Sequence, residues 1–297
     1  MKKTKFLLVV DTEGGLYYKI PSPHFSGWDI LKWKINILLG KLYKYANPAT
    51  DGVKNVVKIL KKYKFPASFC ICGHLYLKEC AGWNKETHAK KPENPWYKRL
   101  IGDWYYWDDG KNKNFCFGSF IEKEMKENYF SFGLHGFAHE PMTLEKKEII
   151  ESIVKKSVEA AKKVGVPLKS FVGPFDMVEE DSDSNKIFDV LKKNKIKNVI
   201  YSGTDKGFEI HRRFRFSNVE KRNGLNLIWL TNYFEGSFSK KQMGKVFRDI
   251  LEHKNKEGIY CLATHDFTHK NTKNIERVVR FIKNLEKKGE IEIVNLK

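Results

Sequence analysis

No run of eighteen apolar residues occurs anywhere in the 297-residue chain, so no segment has the makings of a membrane-spanning helix. Cysteine is scarce: five residues in scattered positions, an odd count that forms neither a disulfide framework nor a zinc-knuckle pair. That usage leads us to expect a reducing, cytoplasmic setting. There is no internal repeat, no low-complexity linker, no arginine-rich block and no nucleic-acid-binding motif. Acid is the minority charge, 36 Asp and Glu against 55 Lys and Arg, for a formal charge of +19. Such a balance suits nucleic acid, an anionic membrane surface or a phosphorylated substrate. The lysines, however, are spread along every helix-like segment and read as solvated faces, so nucleic acid is not expected as a partner. The N-terminal "MKKTKFLLVVDTEGG" mimics a signal peptide, but its apolar run is short and ends in Asp11 and Glu13 without a small-residue cleavage site. It reads better as a buried first strand with acidic residues at its carboxyl end.

What is present is alternation of strand and helix patterns. "KFLLVVD" is an apolar run of strand length, and "TDGVKNVVKILKKYKF" spaces Val53, Val56, Val57 and Leu60 as a helix behind a Thr/Asp cap. "PASFCICG" is the next strand, "EKEMKENY" looks helical, and "FSFGLH" follows as a strand. "TLEKKEIIESIVKKSVEAAKKVGV" is the clearest helix, with Ile149, Ile153, Val158 and Ala161 inside and a stop at Gly165. "KSFVGPF", "IKNVIYSG", "LNLIWLT" and "GIYCLATHD" are further strands, the last two after an irregular stretch; a helix over "NTKNIERVVRFIKNLEKKG" precedes the closing "EIEIVNL". Strands that alternate with helices in this way predict parallel strands covered by helices.

Two segments break the rhythm and read as insertions, at about residues 16–50 and 83–118, in a single domain spanning residues 1–297. The first carries "SGWDILKWKINILLGKLYKYANP", with a helical stripe of Leu31, Ile35, Leu38, Leu42 and Tyr45. Its Trp28, Trp33 and lysines are ingredients of an interfacial helix that could touch a membrane, but Lys34 falls near the stripe, which favours burial. The second holds "GDWYYWDDG", in which Trp104, Tyr105 and Trp107 offer flat faces for sugar rings or, equally, for packing the insertion down.

In a parallel α/β fold the carboxyl ends of the strands converge on one face, and active sites form there. The polar residues at those ends are few. Asp11 and Glu13 follow the first strand, His135 and His139 follow "FSFGL", Pro174, Phe175 and Asp176 follow "KSFVG", and His265 and Asp266 follow "YCLAT". A carboxylate pair, a histidine pair and a further histidine suffice for a three-ligand metal with acid and base beside it.

These motifs, in this order, resemble the polysaccharide deacetylase (NodB-homology) family. The family's helix and A-T-F-F-x-x-G strand are matched by "VVKILKKYKFPASFCICG", and its H-[ST]-x-x-H by "FSFGLHGFAH", with Gly136 in place of Ser or Thr. The helix and proline strand that follow are matched through "FVGPF"; the closing G-x-I-x-L-x-H is approximated by "EGIYCLATHDF", with one extra residue before His265. With the alternation of elements, the resemblance implies a distorted (β/α)7-type TIM-like barrel. It implies Asp11 as general base, His265 as general acid, and one divalent metal ion held by Glu13, His135 and His139. Zinc is the default ion, with cobalt, nickel, manganese and iron as alternatives. In "VVDTEGG", Thr12 stands where the common T-F-D-D motif has its metal ligand; Glu13 is the ligand by the D-x-[DE] pattern of some members. Phe175 stands at the tyrosine whose backbone N–H helps hold the oxyanion. Val172 replaces the arginine that pairs with the catalytic aspartate, which should leave Asp11 with a raised pKa.

The implied activity is metal-dependent hydrolysis of the N-acetyl group of an amino sugar, in a glycan or a nucleotide- or lipid-linked precursor. The rival expectations are a hydrolase of another amide or ester on the same scaffold, a non-catalytic carbohydrate-binding member of the family, and a basic nucleic-acid binder.

Overall fold

The computed structural model describes residues 3–14, 26–38, 49–80, 82, 85–93, 116–176, 178, 186–206, 209–212 and 214–296. The core strands in chain order are β1 (Thr4–Thr12), β2 (Ala67–Ile71), β3 (Phe130–Leu134), β4 (Leu168–Val172) and β5 (Asn198–Tyr201). A separate antiparallel hairpin, β6 (Gly203–Lys206) and β7 (Glu209–Arg212), follows. Then come β8 (Glu220–Arg222), β9 (Leu225–Trp229), β10 (Asn232–Tyr233), β11 (Gly258–His265) and β12 (Ile291–Val294). The helices are α1 (Gly27–Leu38), α2 (Ala49–Lys62), α3 (Gly118–Glu124), α4 (Lys147–Lys163), α5 (Lys186–Lys193), α6 (Lys240–His253) and α7 (Lys273–Lys287).

The order β11-β1-β2-β3-β4-β5-β9 is parallel throughout. What makes it a barrel is the run 225–233. Its first half, β9, pairs with β5, and its second half, β10, pairs with β11. Between them the Leu230 N–H donates to Tyr201 O at 2.7 Å, and the Thr231 N–H donates to Cys261 O at 2.8 Å. One stretch of chain is thus shared by both ends of the sheet, which closes it with seven staves and explains the distortion: the closing strand splits its bonds between two neighbours. The β8 strand pairs antiparallel with β9, and β12 pairs with the start of β1.

Side chains alternate across each strand, so one phase faces the helices and the other the barrel axis. Phe6, Leu8 and Val10 of β1 join the large core beneath the helices, with Val56 and Leu60 of α2, Ile149 and Ile153 of α4, and Val278 and Ile282 of α7. The other phase, Leu7 and Val9 with Cys70, Val172, Ile200, Ile228, Cys261 and Ala263, fills the axis. This parity decides where the polar residues at the strand ends point.

Three local expectations are corrected. The stretch before β11 contains a helix, α6, which starts with a capping box between Ser239 and Gln242 and buries Met243, Val246 and Ile250. The "EKEMKENY" helix lies earlier, as α3, and Thr50 and Asp51 fall inside the first turn of α2 rather than before it. Finally, α1 turns inward on Ile30, which is buried, while Trp28, Leu31 and Ile35 are 64%, 43% and 45% exposed. The expected Leu31–Ile35 stripe therefore faces out, because the helix is rotated so that Ile30 meets the protein. The side chains of Trp33, Leu38, Leu42 and Tyr45 lie outside the described residues, as do Trp104, Tyr105 and Trp107.

Two close approaches bind helices to the site end of the barrel. Gly52 of α2 lies so near the turn after β11 that a Cβ there would sit 2.1 Å from Asp266 O. The turn after β2 is held to the loop after β3 by Gly73 N–H to Gly136 O and His74 N–H to Phe137 O, both 2.8 Å. Among the described residues no helix is long and apolar enough to cross a membrane, and no two cysteines are joined by a disulfide.

Candidate metal centre and active site

On β1 the axis-facing phase runs Leu7, Val9, Asp11 and continues to Glu13. Thr12 falls on the other phase and is fully buried, its hydroxyl near Val10 O at 3.4 Å. On β11 the same phase runs Cys261, Ala263, His265, and β1 registers Asp11 beside His265. On β3 it runs Gly133 to His135. The spacing D-x-E therefore delivers two carboxylates to one place, where the loop after β3 delivers His135 and His139 and the end of β11 delivers His265.

Glu13 is the hub. Its Oε1 lies 3.4 Å from His135 Nε2, 3.3 Å from His139 Nε2 and 3.7 Å from His265 Nε2. One ligand atom each from Glu13, His135 and His139 lies within 4.8 Å of the others, and all three residues are buried. Burial opposes ionisation of Glu13, yet His139 and His135 hold its carboxyl well below the usual carboxylate range. His139, although stabilised by Glu13, is drawn below the ordinary histidine range, chiefly by burial. Burial acts against charge on His135 as well, but Glu13 and Asp11 outweigh it and raise its pKa.

These residues fit a divalent ion. His135 Nδ1 is 3.0 Å from Val172 O, an atom that can only accept, so Nδ1 carries the proton and Nε2 presents a lone pair to Glu13. An ionised carboxylate facing an imidazole lone pair at 3.4 Å needs either a proton or a metal between them. Glu13 Oε2 and Asp11 Oδ1 are also buried with no hydrogen-bond partner among the described residues. Two nitrogens and one oxygen form a donor set that zinc and neighbouring transition metals accept. The position where the family carries arginine thus contributes here through the Val172 carbonyl.

Asp11 is 7% exposed, and burial pushes its pKa up to about 6 against the lowering effects of His135 and His265. The groups acting on it include no arginine, in line with the raised pKa expected from Val172. His265 is more open, its side chain 32% exposed, and is gripped from behind: Nδ1 lies 2.6 Å from Glu235 Oε1. Burial disfavours its charge, but Glu235 more than compensates and raises its pKa well above the ordinary range. Nε2 is left facing the centre.

Phe175 sits in the left-handed backbone region at φ 58°, next to Asp176 at φ 61°, and its ring packs against His139 at 4.4 Å between centroids. Non-glycine residues held there are strained, and such strain gathers at functional sites. His139 is a third, at φ 64°. The loop bearing it is braced by the buried Glu140, whose Oε2 accepts from Phe137 N–H and Ala138 N–H, both at 2.8 Å. Gly136 has φ +69°, and a Cβ would lie 2.9 Å from Glu140 Oε2 and 3.0 Å from Pro174 Cγ. Glycine is therefore required by this loop, whatever the family prefers. Installing the family's residue as Gly136→Ser should destabilise the fold by about 1–2 kcal/mol, read as a lowered melting temperature; an unchanged one would show that the loop relaxes freely.

Three participants had no role in the sequence reading. Glu235 ends the closing strand's segment just as the other site residues end theirs, and that placement was the available signal. Asp266 accepts from Glu13 N–H at 2.9 Å and so fixes the "DTE" turn; burial pushes its pKa up to about 7. Glu140 follows His139 directly, but nothing in the spacing announces a brace.

The polysaccharide deacetylase profile matches residues 44–184, which include His135, His139, Val172 and Phe175 but neither Asp11, Glu13 nor His265. No curated protein matches the chain at a significant level. Among solved structures, a candidate polysaccharide deacetylase from Mycobacterium smegmatis superposes with a TM-score of 0.60 at 13% identity, over 99% of this chain and 87% of that one. The 4-alpha-glucanotransferase of Thermococcus litoralis gives 0.53 at 10% identity, over 99% of this chain and 40% of that one. A CE4 family pseudoenzyme from Bacillus anthracis gives 0.49 at 12%, over 99% and 64%. At such identities the structures speak for the α/β barrel fold alone, and the profile match speaks for the family: over residues 44–184, just under half of its length, this chain is similar to the polysaccharide deacetylases.

Proposed function

We propose that the protein is a metal-dependent N-deacetylase of an amino sugar in a glycan or glycan precursor. The observation that carries this is the meeting of Glu13, His135 and His139 at one end of the barrel, with Asp11 and the Glu235-held His265 beside them. Glu13, His135 and His139 would hold the ion, which when bound supplies a Lewis acid at the reacting carbonyl. Asp11, buried and raised toward neutrality, takes a proton from the attacking water. The Phe175 N–H donates to the oxygen on which charge develops. His265, kept cationic by Glu235, gives its Nε2 proton to the departing nitrogen. The products are acetate and the free amine.

Acetate release from N-acetylated oligosaccharides, with and without added divalent metal, tests the reading. Release from O-acetylated sugars only would assign the ester-cleaving alternative. Binding of the sugar without release would assign a non-catalytic member.

The acidic limb of the activity profile should reflect Asp11. A base works only when unprotonated, so kcat/KM should fall as pH drops through its pKa. Burial pushes that pKa to about 6, and a bound dication draws it back down. The midpoint should therefore lie at or below about 6 and above the ordinary aspartate range. A midpoint inside the ordinary range would mean that Asp11 is not desolvated in the working enzyme.

We also propose a precursor that is lipid- or nucleotide-linked and made inside the cell. Support comes from the charge of +19 and from α1, which exposes Trp28, Leu31 and Ile35 beside lysines. Co-sedimentation with anionic liposomes at physiological salt tests the membrane contact; a protein left wholly in the supernatant removes it. Trp104, Tyr105 and Trp107 are proposed to pack on the sugar, and alanine at Trp104 or Trp107 should then raise KM with little change in melting temperature.

A further inference from the structure

Behind the loop that carries His135 and His139 lies a second set of metal-ligand side chains. After β2 the chain makes one 3-10 turn, Gly73–Tyr76, which buries His74 completely. Cys80 follows this turn, and His88 follows in a stretch that packs back onto it; both are buried, at 8% and 3% exposure. Cys80 Sγ is 3.2 Å from His88 Nε2, and the ligand atoms of His74, Cys80 and His88 all lie within 4.8 Å of one another. His88 Nδ1 is 2.9 Å from the Thr87 hydroxyl, which fixes the ring with Nε2 toward Cys80. An outer hydrogen bond of this kind is what orients a histidine that ligates metal. The Phe137 ring stands against both imidazoles, at 5.8 Å from His74 and 5.7 Å from His88.

We propose that His74, Cys80 and His88 bind a second divalent ion, zinc by the chemistry of the donors. A thiolate with two imidazoles is a soft-to-borderline set, which zinc accepts and magnesium or calcium does not. With zinc–sulfur bonds of about 2.3 Å and zinc–nitrogen bonds of about 2.0–2.1 Å, tetrahedral donors stand roughly 3.3–3.6 Å apart. The observed set needs only small side-chain adjustments to reach that geometry. On binding, the thiol gives up its proton to solvent and its sulfur bonds the ion. Three protein donors converge among the described residues, and a cleft lined by Lys85, Lys90, Glu148 and Ser152 opens beside His88.

The ion's work here is structural. His74 is tied to Phe137 O and Gly73 to Gly136 O, so pinning residues 74–88 together would hold the loop of His135 and His139 from behind. No cysteine pair announces this site in the sequence, because two of its three donors are histidines. The pattern H-x5-C-x7-H, directly after a strand, was the available signal.

Cobalt distinguishes the two sites, since Glu13, His135 and His139 offer no sulfur and only a thiolate ligand gives cobalt a near-ultraviolet charge-transfer band. Wild-type protein loaded with cobalt should hold two equivalents and show that band. Cys80→Ser should lose the band and one equivalent, whereas the His135→Ala/His139→Ala variant should lose one equivalent and keep the band. A band with a single equivalent would support the Cys80 site while denying the Glu13 site. One equivalent without a band, or a band that survives Cys80→Ser, would overturn the proposal. Should Cys80→Ser fail to fold, the wild-type stoichiometry and spectrum decide the matter alone.

Discussion

Replacing His135 and His139 together by alanine is expected to remove one full equivalent of bound metal and all measurable acetate release, with the barrel still folded. Both imidazoles lie within 3.4 Å of one carboxylate oxygen, so the pair supplies two of the three donors converging there. A single glutamate left in a buried pocket does not hold a transition metal against solvent. The fold should survive because neither histidine belongs to the large apolar core beneath the helices. Some stability will go. Glu13 has its pKa depressed by the two histidines, and a depressed carboxyl contributes stability above its unfolded pKa that is lost as pH falls. In the double variant that contribution disappears at neutral pH, and Glu13, desolvated and without its partners, tends to take up a proton. Metal content by elemental analysis, beside circular dichroism, checks the prediction. Unchanged metal content in a folded double variant would sink the assignment of the centre.

Asp11→Asn and His265→Ala should each keep the metal and lower turnover about a hundredfold or more, roughly 2.7 kcal/mol of barrier. The two residues sit in register on adjacent strands and neither belongs to the three converging donors Glu13, His135 and His139, so neither loss removes a donor. Glu235→Gln should act through His265. The amide preserves the shape but not the charge that lifts the histidine's pKa. Since an acid must be protonated to work, the alkaline limb of the activity profile should move to lower pH in Glu235→Gln, and metal content should stay constant. Near-normal turnover in Asp11→Asn or His265→Ala would place proton transfer elsewhere; an unmoved alkaline limb in Glu235→Gln would show that His265 is not the group titrating there.

Alternation of apolar and polar residues carried most of the fold in the sequence itself. "KFLLVVD", "ASFCI", "FSFGL" and "LKSFV" are short runs between turn residues, and buried parallel strands have just that character. The same rule singled out Asp11, Glu13, His135 and His265, because a polar residue ending a buried strand has the strand's axis-facing phase behind it. Period-two alternation also bears on "DTE": two residues on the same phase point the same way, and Thr12, between them, points to the other.

Closure of the barrel was beyond that reading. The run 225–233 looks like one strand in sequence, and only its three-dimensional path makes it pair with β5 at one end and β11 at the other. The rotation of α1 was likewise undetermined: Ile30 and the Leu31–Ile35 pair are equally apolar, and which of them turns inward depends on the surface the helix meets. Glu235 and His265 stand 30 residues apart in sequence, and the partners Glu13 and Asp266 stand 253 apart. Hydrogen bonds of that range leave no periodic trace, since they are set by where two loops end after the helices have packed. The sequence by itself determined most of the order of strands and helices, the resemblance to the polysaccharide deacetylases, and which strand ends carry polar groups, for those follow from local spacing and burial. Tertiary structure alone decided that Glu13 faces both histidines, that Glu235 holds His265, and that His74, Cys80 and His88 meet behind them, because convergence of side chains from separate strands and loops is a property of the closed barrel rather than of any segment in it.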